Sequence, residues 1–135
     1  MTERVIDTKT IEIASDSLQI DAYLAKPQGE GIYPGIVVLQ EIFGVNEHIR
    51  EVTERIAKEG YIAIAPALFQ RQAPGFATGY TPEDIKVGKD YAWGKTKAPE
   101  LLKDIHSAID YLKILPEINK DACGCIGFCF GGHVA

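Results

Sequence analysis

The sequence predicts an α/β fold, with a mostly parallel sheet and an antiparallel hairpin at its amino-terminal end. Two stretches near the start alternate polar and apolar side chains, as strands with one buried face do. The later stretches 35–39 and 61–65 are continuously apolar, which is typical of parallel strands buried on both faces. A helical pattern separates these two stretches. A strand, helix and strand within about thirty residues require the two strands to be parallel.

Length and composition indicate one ordinary globular domain, covering residues 1–135. The chain is long enough to bury a core, and 46% of its residues are hydrophobic and 24% charged. The net charge is -5 and no cluster of Lys and Arg is present, which argues against a nucleic-acid surface. The first residues lack the apolar segment of a secretory signal or a membrane span. We therefore expect a small-molecule partner, with no nucleic acid and no membrane, and the sequence does not predict an oligomeric state.

The first half of the chain gives the hairpin and the first core strands. Alternation predicts strands over 10–14 and 18–24, joined by a turn at 15–17. The stretch 27–34 is rich in Pro and Gly and is interpreted as a loop. Apolar residues at helical spacing predict a helix over 46–59, which Gly60 ends.

The second half begins with a long irregular segment, 66–80, of the kind that is usually functional in a small domain. A helix start is predicted at 81–82, because Thr can cap a helix and Pro suits its first turn. A second helix is predicted over 99–115. A turn at 119–121 then leads into an apolar strand over 122–126.

The three cysteines are packed into seven positions, as Cys123, Cys125 and Cys129. An odd number at this spacing favours a reducing compartment over a disulfide framework, and we expect the protein to be cytoplasmic. Cys123 and Cys125 share one face of a strand and are interpreted as small core residues. The spacing does not match a zinc clip, so no metal and no other cofactor is predicted.

The stretch 127–132, with the sequence GFCFGG, follows the last predicted strand. The pattern Gly-x-Cys-x-Gly is typical of the strand-to-helix turn that presents the nucleophile in α/β-hydrolases. Side chains at Gly127, Gly131 and Gly132 would collide with the adjoining strand and helix. The amides at the start of the following helix favour a thiolate at Cys129. The alternative is a buried cysteine at a glycine-rich strand end.

The helix that should follow Cys129 has few residues before Ala135, fewer than the roughly 12 that an isolated helix needs to be marginally stable. We therefore expect the chain to be a fragment, truncated after the nucleophile turn. Further strands and helices would then cover the free edge of the last strand.

Three stretches taken together carry a family resemblance. They are QEIFGVN at 40–46, RQAPG at 71–75 and GFCFGG at 127–132. With the strand–helix–strand unit between them, the chain resembles the dienelactone hydrolase family. Members of that family have the α/β-hydrolase fold and a cysteine nucleophile.

The resemblance implies roles for four residues. Cys129 would be the nucleophile, and Glu41 would be the acidic residue beside the thiol that helps to control its ionisation. The backbone amides of Ile42 and Phe130 would form the oxyanion hole, which stabilises the charge on the carbonyl oxygen in acyl transfer. The family completes its triad with an Asp and a His from later in the chain. Its arginine for the substrate carboxylate aligns with Val87.

Other candidate residues have ordinary structural interpretations beside the functional ones. His133 is more typical of a first-turn helix residue than of a catalytic base, and His48 and His106 are interpreted as structural. Arg71, in the long loop, would meet an anionic substrate or face water. Five aromatic residues would line the apolar side of a pocket or belong to the core: Phe69, Phe76, Tyr80, Tyr91 and Trp93.

These patterns favour a hydrolase of small esters or lactones that uses Cys129. A class I glutamine amidotransferase also carries a Gly-x-Cys-x-Gly turn, but the amino-terminal hairpin and the Glu41 stretch argue against it. A catalytically inactive binding module is the third alternative, because the triad Asp and His are absent.

Overall fold

The structure is a computed structural model that describes residues 4–15, 18–128 and 130–135, without the side chain of residue 133. The elements in chain order are β1 (Ile6–Ser15), β2 (Leu18–Pro27), β3 (Tyr33–Leu39), α1 (Glu47–Lys58), β4 (Ile62–Pro66), α2 (Pro82–Lys89), a π-helical turn (Asp90–Lys95), α3 (Ala98–Ile114), β5 (Ile118–Gly127) and α4 (Phe130–Val134).

The five strands form one sheet in the order β1-β2-β4-β3-β5. The pairs β1/β2 and β2/β4 are antiparallel, whereas β3/β4 and β3/β5 are parallel. The predicted α/β class, the hairpin and the parallel pair around α1 are therefore confirmed, in a sheet that is mixed. Since β3 lies between β4 and β5, the segment that follows β3 leaves the sheet at its parallel part.

Alternate residues of β3 and β4 belong to two separate hydrophobic cores, one on each face of the sheet. Val38 and Ala63 pack on one face of the sheet with Ile49 of α1. Val37 packs on the other face, in a core that includes Leu112 of α3. Both faces of β3 and β4 are thus covered, which explains their continuous apolar sequences.

Helix starts are where the sequence predicts them. Asn46 is the N-cap of α1, and its side chain accepts a hydrogen bond from the N–H of Ile49. Thr81 caps α2 in a capping box with Asp84, and Pro82 occupies the first helical position. Polar side chains that satisfy free N–H groups therefore fix both helix starts.

Three local features differ from the expectation. The loop predicted over 27–34 is shorter, because β2 runs to Pro27 and β3 begins at Tyr33. The turn expected at 119–121 lies inside β5, at a register shift against β3, and Asn119 Oδ1 accepts a hydrogen bond from Asp121 N there. The π-helical turn was not predicted, since such a short element has no periodic sequence signal. Of the turn expected at 15–17, Ser15 belongs to β1 and 16–17 lie outside the described residues.

Candidate active site

The candidate site lies where β3 and β5 end. These parallel strands are paired through to Leu39 and Gly127, so both chains leave the sheet at the same edge. The segment after β3 is 40–46, and α4 begins at Phe130 after β5. Ligands of open α/β sheets bind at this edge.

Glycines allow the two backbones to approach closely here. A Cβ at Gly131 would overlap the carbonyl oxygen of Leu39 and lie 2.6 Å from that of Gln40. A Cβ at Gly127 would overlap the Gly131 carbonyl, and one at Gly132 would lie 3.2 Å from the Gly127 oxygen. The steric reason that the sequence suggests is therefore confirmed for Gly127 and Gly131, whereas a Cβ at Gly132 would make only a tight contact. Their catalytic role stays a prediction.

The predicted nucleophile, Cys129, lies outside the described residues, as does the side chain of His133. The two predicted oxyanion-hole residues are buried, with Ile42 4% and Phe130 5% exposed. Within the described ranges, the N–H of Ile42 donates to no backbone oxygen. Ile42 follows β3 and Phe130 follows β5, and their role as an oxyanion hole stays a prediction.

Glu41 and Gln40 follow β3 directly and differ in their surroundings. Gln40 is completely buried, and its side chain accepts a hydrogen bond from Leu68 N at 2.9 Å and donates to Glu41 O at 3.2 Å. The Oε1 atom of Glu41 is buried and has no hydrogen-bond partner among the described residues. An unpartnered buried carboxylate oxygen is costly and needs an explanation.

The long loop after β4 supports the segment 40–46. Thr78 donates its backbone N–H to Phe43 O at 2.9 Å. Asn46 donates through Nδ2 to Thr78 O at 3.1 Å and to the Tyr80 hydroxyl at 3.3 Å. These hydrogen bonds connect the long loop to the segment 40–46.

Arg71 is largely buried and ion-paired, so it does not simply face water. Its guanidinium donates to both carboxylate oxygens of Asp104 on α3, at 3.2 and 2.9 Å, and Ser15 donates to the same carboxylate at 2.5 Å. The Asp104 side chain is 1% exposed and that of Arg71 is 11% exposed. This buried ion pair joins the long loop to α3 and β1.

Most of the five aromatic residues expected near a pocket pack on one another. Phe69 is buried and lies 5.7 Å from the rings of both Phe76 and Tyr91 and 5.6 Å from Phe130. Trp93 is 62% exposed, and its ring lies 6.1 Å from that of Phe130. Tyr80 contacts the ring of Phe43 at 4.6 Å. The cluster therefore surrounds the start of α4 with apolar surface.

Cys125 is exposed and Cys123 half-buried, so the interpretation of Cys125 as a core residue is wrong. The reason is that β5 is an edge strand, with Ile126 also 41% exposed. His48 and His106 are both exposed.

Sequence reasoning missed three residues that shape the site: Gln40, Asn46 as a loop anchor, and Asp104. Asp104 lies among the buried positions of the amphipathic helix α3. An acidic residue at such a position is the sequence signal that could have identified it. Its partner Arg71 lies in an irregular loop, and no periodicity connects the two.

The described residues contain no group of three or more side chains suited to hold a metal ion. No helix in the described part of the chain is long and apolar enough to cross a membrane.

Comparison with known proteins supports the resemblance to the dienelactone hydrolase family for nearly the whole chain. The model of the "Dienelactone hydrolase family" matches residues 20–135. A Synechocystis protein named "Putative carboxymethylenebutenolidase" is 53% identical over 129 residues, covering 96% of this chain and 52% of its own. A "Carboxymethylenebutenolidase" of Pseudomonas putida is 37% identical over 105 residues, covering 76% of this chain and 43% of its own.

A solved structure agrees with these sequence matches. The "Putative Dienelactone Hydrolase" of Klebsiella pneumoniae superposes with a TM-score of 0.81 at 32% identity, over 96% of this chain and 52% of that one. The α/β-hydrolase fold is thereby confirmed. The chain spans about half the length of the curated relatives it matches, and it belongs to the dienelactone hydrolase family.

Proposed function

We propose that the protein containing this chain hydrolyses a small ester or lactone, with Cys129 as its nucleophile. The observation that carries the proposal is the backbone contact between the segment 40–46 and α4, where only glycine fits at position 131. This contact fixes Ile42 and Phe130 relative to each other. The names of the curated relatives point to lactone chemistry and not to glutamine amidotransfer.

The reaction we propose proceeds in two steps. The thiolate of Cys129 forms a bond to the substrate carbonyl carbon, and the carbonyl oxygen takes the negative charge. The N–H groups of Ile42 and Phe130 stabilise that charge, and losing one such donor costs about 3 to 4 kcal/mol. The C–O bond then breaks, and the leaving alkoxide takes the proton that the triad base, expected from later in the chain, removed from the thiol; in a lactone this alcohol stays attached to the acyl group. Water then hydrolyses the thioester to the acid and the free thiol.

Glu41 is assigned the control of thiol ionisation in this proposal. Its buried Oε1, which has no partner among the described residues, supports a role other than stabilising the fold. A carboxylate close to a thiol opposes formation of the thiolate. The triad acid and base are expected from the family resemblance, and the cytoplasmic location predicted from the cysteines is part of the proposal.

The test measures turnover of simple esters and lactones by the complete gene product that contains this sequence. The wild type is compared with Cys129→Ala and with Cys125→Ala, which removes an exposed cysteine of β5. We expect turnover in the wild type and in Cys125→Ala, and its loss in Cys129→Ala. Equal turnover in all three proteins would contradict the proposal.

Titration with a thiol reagent separates the hydrolase from an inactive binding module. A hydrolase should hold a reactive thiol at Cys129 near neutral pH. A Cys129 that stays unreactive, in a protein without ester turnover, would favour the binding module.

A further inference from the structure

Helix α2 contacts the segment 40–46 through Gly88. Gly88 is the buried residue of this helix. A Cβ at this position would overlap the carbonyl oxygen of Ile42 and lie 3.1 Å from the Ile42 Cβ. The backbone of Gly88 is helical, so glycine is needed here for space and not for an unusual backbone conformation.

Glycine within a helix is unfavourable, because it lowers helix stability relative to alanine. In α2 it occurs seven positions into an eight-residue helix, Pro82–Lys89. A glycine inside a helical pattern usually has a packing or functional reason. The close approach to Ile42 supplies that reason.

A second backbone contact holds the same segment from another side. Gly44 has a φ of +80°, and a Cβ there would overlap the carbonyl oxygen of Phe76. The hydrogen bond from Thr78 N to Phe43 O, 2.9 Å long, lies beside this contact. The peptide units around Ile42 are therefore confined by backbone atoms, which cannot rotate away as side chains do.

We infer that Gly88 is a positioning residue for the N–H of Ile42. A Cβ at Gly88 would press on both the carbonyl oxygen and the Cβ of Ile42, so rotation of the carbonyl alone cannot relieve the overlap, and the Cα that carries the N–H must shift as well. This inference rests on the proposed function, in which that N–H stabilises the oxyanion. In this inference Gly88 acts through its contact with Ile42 and is a positioning residue, not a catalytic one.

The expected effect falls on kcat. An oxyanion contact forms in the transition state and not with the ground-state carbonyl, so misplacing it lowers kcat and leaves KM nearly unchanged. Alkylation of Cys129 by iodoacetamide creates no oxyanion on a carbonyl. Gly88→Ala should therefore slow ester hydrolysis without slowing alkylation.

The experiment compares Gly88→Ala with Gly79→Ala in the complete gene product. A Cβ at Gly79 would meet its nearest neighbour, Asp84 Oδ2, at 3.6 Å, an ordinary contact distance. For Gly88→Ala we expect kcat to fall about 10- to 100-fold, since displacing a catalytic group by a fraction of an ångström is costly. Gly79→Ala should behave as wild type, and both variants should be alkylated at Cys129 at the wild-type rate.

Two results for a folded Gly88→Ala would overturn the inference. They are an ester kcat equal to that of Gly79→Ala, and an alkylation rate reduced as much as the kcat. A wild type without Cys129-dependent turnover would instead defeat the proposed function, and the inference with it.

A second variant keeps the inference testable if Gly88→Ala does not fold. Ile85 is the α2 side chain that packs against the main core cluster. Ile85→Ala loosens α2 without placing an atom on Ile42, and a smaller loss of kcat at unchanged alkylation is expected. An unchanged ester kcat in the folded Ile85→Ala protein would overturn the inference.

Discussion

Asp104 and Glu41 both have buried carboxylate oxygens, but the two carboxylates differ in their hydrogen bonds. Asp104 receives hydrogen bonds from Ser15 and from two nitrogens of Arg71. Glu41 has a buried Oε1 without a partner among the described residues. A fully partnered buried charge is what a structural role requires, whereas an unpartnered oxygen at a strand end points to chemistry. Stability measurements should therefore separate the two residues.

Removal of Asp104 should give the largest loss of stability. Asp104→Ala leaves the Arg71 guanidinium, 11% exposed, without its main counter-charge. Breaking a buried ion pair from one side costs about 3 to 5 kcal/mol, to be measured as the free energy of unfolding in urea. The matched control is Asp90→Ala, which removes an exposed ion pair with Lys95 and should cost below about 1 kcal/mol. Equal losses in the two variants would contradict the structural role of Asp104.

Loss of the Tyr23 hydroxyl should reduce stability less than Asp104→Ala does. This hydroxyl donates to Glu54 at 2.8 Å in a partly buried position. Tyr23→Phe should cost about 1 kcal/mol, the usual net value of one hydrogen bond. Tyr61→Phe is the control, because the Tyr61 hydroxyl has no hydrogen-bond partner among the described residues. A control that loses as much stability as Tyr23→Phe would show that the bond contributes nothing.

The same tyrosine predicts a dependence on alkaline pH. Burial, together with the hydrogen bond to Glu54, raises the pKa of Tyr23 above its ordinary value of 10.0. The folded protein then holds the phenol proton more tightly than the unfolded chain, so this stability is complete below about pH 10 and is lost as pH rises through the raised pKa. Unfolding measured between neutral and alkaline pH should show this loss in the wild type and less of it in Tyr23→Phe. Identical profiles would contradict the shift.

Glu41→Gln should have the smallest effect on stability, within about 1 kcal/mol, because the buried Oε1 of Glu41 accepts no hydrogen bond from the described residues. Its effect should be seen in the chemistry of the site. In the proposed function Glu41 lies beside the thiol, so removing its negative charge should favour the thiolate, and alkylation of Cys129 should begin at lower pH than in the wild type. A loss of stability as large as that of Asp104→Ala, or an unchanged pH dependence of alkylation, would contradict the role of Glu41.

The strands and helices could be predicted from local patterns because burial imposes a period on them. Alternation identifies the hairpin, and continuous apolar runs identify the central strands, which are covered on both faces. Helical spacing predicted α1, and the cap residue Thr81 with Pro82 predicted the start of α2. These signals involve residues close together in the sequence, and that is why they were sufficient.

The contacts that shape the site could not be predicted in this way. Arg71 and Asp104 are 33 residues apart, and the approach of Gly88 to Ile42 depends on how α2 packs on the segment after β3. Cys125 was wrongly expected in the core, because its strand lies at the sheet edge. The sequence motif identified the residues of the candidate site, but their mutual support depends on tertiary packing.

Trapping an acyl-enzyme tests the central claim most directly. The complete gene product is mixed with an activated ester and quenched in acid within the first turnover. The protein is then digested with a protease, and the modified residue is located by fragmenting the peptides in a mass spectrometer. We predict an acyl group on Cys129, absent from Cys129→Ala and not found on Cys123 or Cys125. Ester turnover without an adduct on Cys129, or with the adduct on another cysteine, would contradict the assignment of Cys129 as the nucleophile.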